Sequence, residues 1–218
     1  MGSRLDTDFK TYAQSAYESI RDAILEGTLK PGQKLSRKAM AEMTGVSTIP
    51  VMEALHRLKN EGLIESRPHF GARVVRLTNT IMKDRYELRE AIECHVVRML
   101  ARMLTPAQGD ELLAMARETD TLARENRADP RFWESHSRFH RRLAELTACE
   151  SLVDVLQKTS LFLILQRAFL AVKLAHGAAE NHEQVVKAIV SGDPDIAERA
   201  MREHIGHYWA AVRQMPSP

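Results

Sequence analysis

Apolar residues recur at three- and four-residue intervals along most of this chain, and the pattern is interrupted at glycine and proline. Over Asp8–Glu26 the apolar positions Tyr12, Ala16, Ile20, Ala23 and Ile24 share one helical face, which Gly27 ends. Pro31-Gly32 marks a turn. Ser36 is placed to cap a short helix over Arg37–Thr44, and Gly45 suits the left-handed conformation common at helix ends. Ser47 is placed to cap a second helix running to about Asn60. Pro50 stands in the first turn of that helix, where a missing N–H costs little, and Gly62 stops it. Leu63–Ser66 and Arg73–Leu77 read as short strands joined by a hairpin loop at Arg67–Gly71. Two helices about a tight turn at Thr44-Gly45-Val46, followed by a hairpin, predict a winged helix-turn-helix.

After a short link at Thr78-Asn79 the helical period continues to the end. It predicts helices near 80–104, 106–127, 130–148, 150–173, 178–191 and 194–214. Thr105-Pro106-Ala107-Gln108 combines a cap, a proline at the first helical position and a glutamine three residues after the cap. Asp129-Pro130 and Asp193-Pro194 repeat the cap-and-proline device. Leu161–Leu165 is apolar on all sides and is expected at the centre of a bundle or in a dimer contact. The expected architecture is mainly α. A winged helix-turn-helix over residues 1–78 precedes an all-α six-helix bundle over 79–218.

Composition changes this picture little. The 218 residues are 44% hydrophobic and 28% charged, as in an ordinary globular protein. No apolar run reaches the length of a membrane span, and the first residues lack a signal-peptide core, so a cytoplasmic location is expected. Cys94 and Cys149 offer neither a metal spacing nor a disulfide framework. Residues 1–78 carry 12 Lys/Arg against 9 Asp/Glu and the remainder 19 against 20, so the small positive excess lies with the helix-turn-helix.

The candidate chemistry is in the histidines. His136 and His140 stand one helical turn apart on one face, a chelating geometry. His182 opens a later helix, and His204 lies in the last. A helical histidine is more often a surface or satisfied core residue. His56, His69, His95 and His176 are read that way with respect to metal. His207, one turn past His204, is read as a supporting residue rather than a ligand. Spacing alone leaves a metal site and an ordinary set of histidines both open. Trp133, Phe139, Phe162 and Tyr208 are expected in the core.

Residues 12–77 resemble the DNA-binding domain of the GntR family of bacterial transcription regulators. The resemblance is carried by Ile24-Leu25-Glu26-Gly27, Leu29-Lys30-Pro31-Gly32, Leu35-Ser36, Gly45-Val46-Ser47, Pro50-Val51, Glu53-Ala54-Leu55, Leu58, Glu61-Gly62-Leu63 and Gly71-Ala72. Residues 80–214 resemble the helical effector domain of the FCD (FadR C-terminal domain) branch, through Glu87-Leu88-Arg89, Glu93, Phe139-His140, His182, Ala188-Ile189, Gly192-Asp193, Ala197, Met201 and His204. The resemblance implies a homodimeric, ligand-responsive regulator, most often a repressor, that binds operator DNA and is not an enzyme. It implies DNA contacts from Lys38, Ser47, Thr48, Ile49 and Met52, and from His69 and Gly71 in the wing. Thr48 and Met52 stand where the family usually has guanine-reading arginines, Ile49 where it has threonine, and Lys38 at another usual arginine. A weaker or differently composed operator follows, unless Ile49 and Met52 simply pack against the first helix and the domain has decayed as a DNA reader.

In the FCD branch an aspartate and three histidines hold a metal. His140, His182 and His204 match those histidines, and His136 takes the aspartate's position. Four neutral imidazoles suit a divalent transition metal, Zn²⁺ or Ni²⁺ above all. Arg89 matches an arginine that faces the effector, where its forked donors can clamp a small carboxylate; it could equally be an i,i+4 partner of Glu93. Two further readings are a direct metal sensor and a metal-dependent hydrolase. The second is opposed by the absence of a HExxH motif or an evident general base. A metal-free binder of acyl-thioesters is opposed by the four histidines.

Overall fold

The computed structural model describes residues 11–67, 71–76, 78–126, 129–157, 159 and 181–213. It forms two compact units, Met1–Arg76 and Leu77–Pro218.

In the first unit, helix α1 spans Tyr12–Leu25 and is capped by Thr11, whose hydroxyl accepts from the backbone of Gln14. That start is later than the expected Asp8, since a capping hydroxyl defines the end more sharply than apolar spacing does. Ser36 caps α2 (Arg37–Thr44), which ends in left-handed Gly45 at φ 70°. Ser47 takes the N-cap position of α3 (Thr48–Asn60), but its side chain makes no capping hydrogen bond. Strands β1 (Lys34–Leu35), β2 (Ile64–Arg67) and β3 (Gly71–Val74) form an antiparallel sheet in the order β1-β3-β2. Pairing runs Lys34 with Arg73 on one side of β3 and Ile64 with Val74 on the other.

β1 was not legible, because two residues show no alternation. It forms because the Pro31-Gly32 turn docks on β3: Gly32 donates to Val74 O at 2.8 Å, and Val74 donates to Gln33 O at 3.0 Å. β3 accordingly lies closer to the hairpin than the expected 73–77. Ala16, Ile20 and Ile24 of α1 are buried, as are Val51, Ala54 and Leu58 of α3. A polar clamp joins the same two helices. Tyr17 Oη donates to Glu61 at 2.9 Å, while the Arg57 guanidinium lies 3.7 Å from the centroid of the Tyr17 ring and donates to Gln14.

The second unit is helical. α4 spans Asn79–Met103, α5 Pro106–Glu125 and α6 Pro130–Glu145; residues 150–157 are helical (α7); α8 spans His182–Val190 and α9 Pro194–Arg213. Thr105 and Gln108 form the expected reciprocal capping box on α5, and Asp129 caps α6. α6 stops before the expected 148: Ala148 adopts a left-handed φ of 56° just beyond it. The core joins Val97 and Leu100 of α4, Leu112 and Ala116 of α5, Phe139 and Leu143 of α6, Val185 and Ile189 of α8, and Ala197 and Met201 of α9. The apolar run Leu161–Leu165, Phe162 and His176 lie outside the described residues, as do the side chains of His207 and Tyr208.

Candidate functional site

The buried stripe of α6 contains Phe132, His136, Phe139, His140 and Leu143, so its two histidines face the core and not solvent. His182, the first residue of α8, and His204, in α9, are buried with them. All four rings meet. Their centroids are 4.5 Å apart for His136–His140 and for His182–His204, and 6.2 Å apart for the most distant pair, His136–His204. One ring nitrogen from each residue lies within 4.8 Å of the others. The Nε2 atoms of His140 and His204 are 3.3 Å apart, close to the roughly 3.4 Å edge of a tetrahedron with metal–nitrogen bonds of about 2.05 Å.

Three of the rings are held from behind. Nδ1 of His140 lies 2.5 Å from Glu93, Nδ1 of His182 lies 2.6 Å from Asp120, and Nδ1 of His204 lies 2.6 Å from Asn181 Oδ1. The Asp120 and Asn181 oxygens accept, which places the proton of His182 and of His204 on Nδ1 and the lone pair on Nε2; in His140 the Arg89 guanidinium can only donate to Nε2, which places the lone pair there as well. This is the arrangement in which protein imidazoles ligate metals. Burial pushes His140 well below the ordinary histidine range, and the nearby Arg89 charge adds to this against the pull of Glu93, so its ring is neutral. Burial would raise the Glu93 carboxyl, but the Arg89 charge and His140 outweigh it and keep the group ionised. The donor set therefore fits a divalent transition metal: nitrogenous and convergent, with three of the four rings held from behind.

Arg89 is itself inside this site and 2% exposed. It is paired with Glu93, and its Nη2 lies 2.9 Å from His140 Nε2. Arg89 is thus an i,i+4 partner of Glu93 that also reaches a histidine of the cluster. Asp120 and Asn181 were missed by sequence reasoning. A signal existed for Asp120, a carboxylate on the same α5 face as the buried Leu112, Ala116 and Ala123. None existed for Asn181 beyond its place just before His182. His56 and His95 are exposed and lie outside the cluster.

The other candidates are in the first unit. Ile49 is 70% exposed and Met52 46%; Lys38, Ser47, Thr48 and Gly71 are also exposed, while His69 lies outside the described residues. Ile49 and Met52 therefore do not fill the core against α1. They form an outward edge at the start of the second helix of the motif, where a helix-turn-helix reads base edges. Gly71 has φ 73°, a conformation that disfavours any side chain.

Residues 12–74 match the family described as bacterial regulatory proteins, gntR family, and residues 84–207 match the FCD domain. The chain belongs to the GntR family and carries its FCD domain. Among its relatives is the HTH-type transcriptional repressor RspR of Escherichia coli, 29% identical over 93% of this chain and 89% of that protein. An uncharacterised HTH-type transcriptional regulator from an unstable DNA locus of Streptomyces ambofaciens is 30% identical over 91% of this chain and 84% of that one. Among solved structures, E. coli McbR/YncC superposes with a TM-score of 0.74 at 19% identity, covering 94% of this chain and 99% of that one, which speaks to the fold. This GntR/FCD chain is a transcription regulator rather than an enzyme. No helix among the described residues is long and apolar enough to cross a membrane.

Proposed function

We propose that this GntR/FCD regulator is a cytoplasmic, homodimeric repressor whose helical domain (79–218) binds a divalent transition metal, Zn²⁺ or Ni²⁺, and a small carboxylate effector. Its winged helix-turn-helix (1–78) would bind operator DNA. The observation that carries the metal reading is the convergence of His136, His140, His182 and His204, three of them with Nδ1 held by an oxygen. The metal would supply a Lewis-acidic centre for a carboxylate oxygen. His140 Nε2 can serve either Arg89 or a metal, so a bound metal would leave Arg89 Nη2 without that acceptor, and the guanidinium fork would suit a carboxylate there. Repression is supported by the likeness to RspR, a transcriptional repressor. Operator binding rests on Lys38, Ser47, Thr48, Ile49, Met52 and the wing at His69 and Gly71; without two arginines at Thr48 and Met52, the operator differs from the family's usual one.

Elemental analysis and mass spectrometry of the purified protein test this together. Stoichiometric zinc or nickel with a bound organic acid is expected. Protein that neither retains nor takes up a transition metal would sink the reading.

One observation favours a second reading, the direct metal sensor. Four protein nitrogens would fill the four-coordinate shell usual for structural Zn²⁺, so metal occupancy by itself could be the signal. Operator binding that responds to Zn²⁺ or Ni²⁺ with no organic acid present would select it.

A further inference from the structure

Asn181 occupies the N-cap position of α8, but its side chain makes no capping hydrogen bond. Its Oδ1 lies instead 2.6 Å from Nδ1 of His204 on α9. The first amides of a buried helix need acceptors, and here Asp120, on α5, provides them. Oδ1 accepts from His182 N at 3.2 Å and Oδ2 from Glu183 N at 3.1 Å. The same Oδ1 lies 2.6 Å from the ring Nδ1 of His182. A single carboxylate thus holds both the end of α8 and the ring of its first residue. An anion at a helix N-terminus is also favoured by the helix dipole.

From this geometry we infer that Asp120 and Asn181 are positioning residues of the metal centre. Asp120 sets the tautomer and aim of His182, and Asn181 sets those of His204. The inference rests on the metal reading above. Its physical content is twofold. Each oxygen fixes the proton on Nδ1 and leaves Nε2 bare for the ion. The Asp120 charge also makes its imidazole a stronger donor than the neutral Asn181 makes His204. Asp120 is therefore the more important of the two. It also ties metal occupancy on α6, α8 and α9 to the placement of α5, which contributes no ligand of its own.

The test uses the full chain, stripped with a chelator. Zn²⁺ is titrated against a chromophoric competitor, the visible absorption of the Co²⁺-loaded protein is recorded, and the stripped protein is melted. Asp120→Ala should weaken Zn²⁺ by about ten- to hundredfold and alter the Co²⁺ bands. Asp120→Asn keeps one acceptor oxygen but loses the charge and one of the two oxygens that hold the end of α8, so its Zn²⁺ affinity and its stripped melting temperature should both fall between those of Asp120→Ala and wild type. Asn181→Ala should lose less affinity than Asp120→Ala. A purely structural cap would lower the stripped melting temperature and leave Zn²⁺ affinity and the Co²⁺ bands unchanged, and that result overturns the inference. If Asp120→Ala does not fold, Asp120→Asn decides: wild-type affinity with wild-type Co²⁺ bands overturns it equally. A wild-type chain that binds neither Zn²⁺ nor Co²⁺ overturns the metal reading itself, and the inference with it.

Discussion

Asp120 Oδ1 lies 2.6 Å from the ring Nδ1 of His182 and 3.2 Å from its backbone nitrogen, so one oxygen meets two nitrogens of one residue. Glu93 does related work from α4. It is shared between the Arg89 guanidinium and His140 in a site closed to solvent. Both carboxylates are ionised groups among imidazoles, each lying behind one ring of the cluster.

The double variant His140→Ala/His182→Ala should abolish stoichiometric metal. Elemental analysis of the folded protein reads this directly, and metal retained at full occupancy would remove these residues from the ligand set.

Arg89→Ala should retain metal and lose affinity for a carboxylate effector, measured by calorimetry with the metal-loaded protein. It should also destabilise the fold. Removing one member of a buried ion pair leaves the other without its counter-charge, at a cost of about 3–5 kcal/mol. Urea unfolding reads that loss. An unchanged midpoint would mean that His140 alone accommodates Glu93.

Ile49→Ala should leave stability within about 0.5 kcal/mol, because the side chain is exposed. It should nonetheless weaken operator binding in a mobility-shift assay. Thr48→Arg with Met52→Arg should move the preferred site toward guanine-containing sequences, since arginine reads guanine through two hydrogen bonds. Operator affinity should fall steeply with salt as phosphate contacts release counterions. A flat salt response would count against DNA binding by this edge.

The Cys94 thiol is pushed up to about 12, chiefly by burial, with Arg202 opposing. At pH 8 only about one molecule in ten thousand would carry the reactive thiolate there. Iodoacetamide should therefore spare Cys94 in the folded protein and reach it in urea, as peptide mass mapping would show.

Tyr17 has a raised pKa because of burial first and then the Glu61 charge and hydrogen bond, with Arg57 and Arg21 opposing. Its neutral form is favoured in the fold. The contribution to stability is fully present below the unfolded value near 10 and is lost as pH rises through the folded value. Tyr17→Phe should flatten that alkaline loss. It should also cost about 1 kcal/mol at neutral pH for the missing hydrogen bond to Glu61. Denaturation midpoints at pH 7 and pH 11 compare the two.

Helix order and class were legible because each helix announces itself locally. Apolar spacing marked α1, α4 and α6, while Ser36, Thr105 and Asp129 marked starts that the structure uses as caps. Ser47 looked like a cap of the same kind and forms no such bond. β1 escaped notice because its two residues are a strand only by virtue of β3 beside them.

The four histidines were picked out by the one-turn spacing of His136 and His140 together with the family likeness of His140, His182 and His204. That they share one buried volume was decided by the packing of α6, α8 and α9. The chain by itself determined the mainly α class, the winged motif and the identity of these residues, because residue type and local period are properties of adjacent positions. Tertiary structure alone decided that Ile49 and Met52 point outward, that Arg89 reaches His140, and that Asp120 and Asn181 hold His182 and His204. Those partners lie 51 residues apart in the Arg89 pair, 62 in the Asp120 pair and 23 in the Asn181 pair, and no local pattern connects them until folding brings oxygen and nitrogen within hydrogen-bond reach.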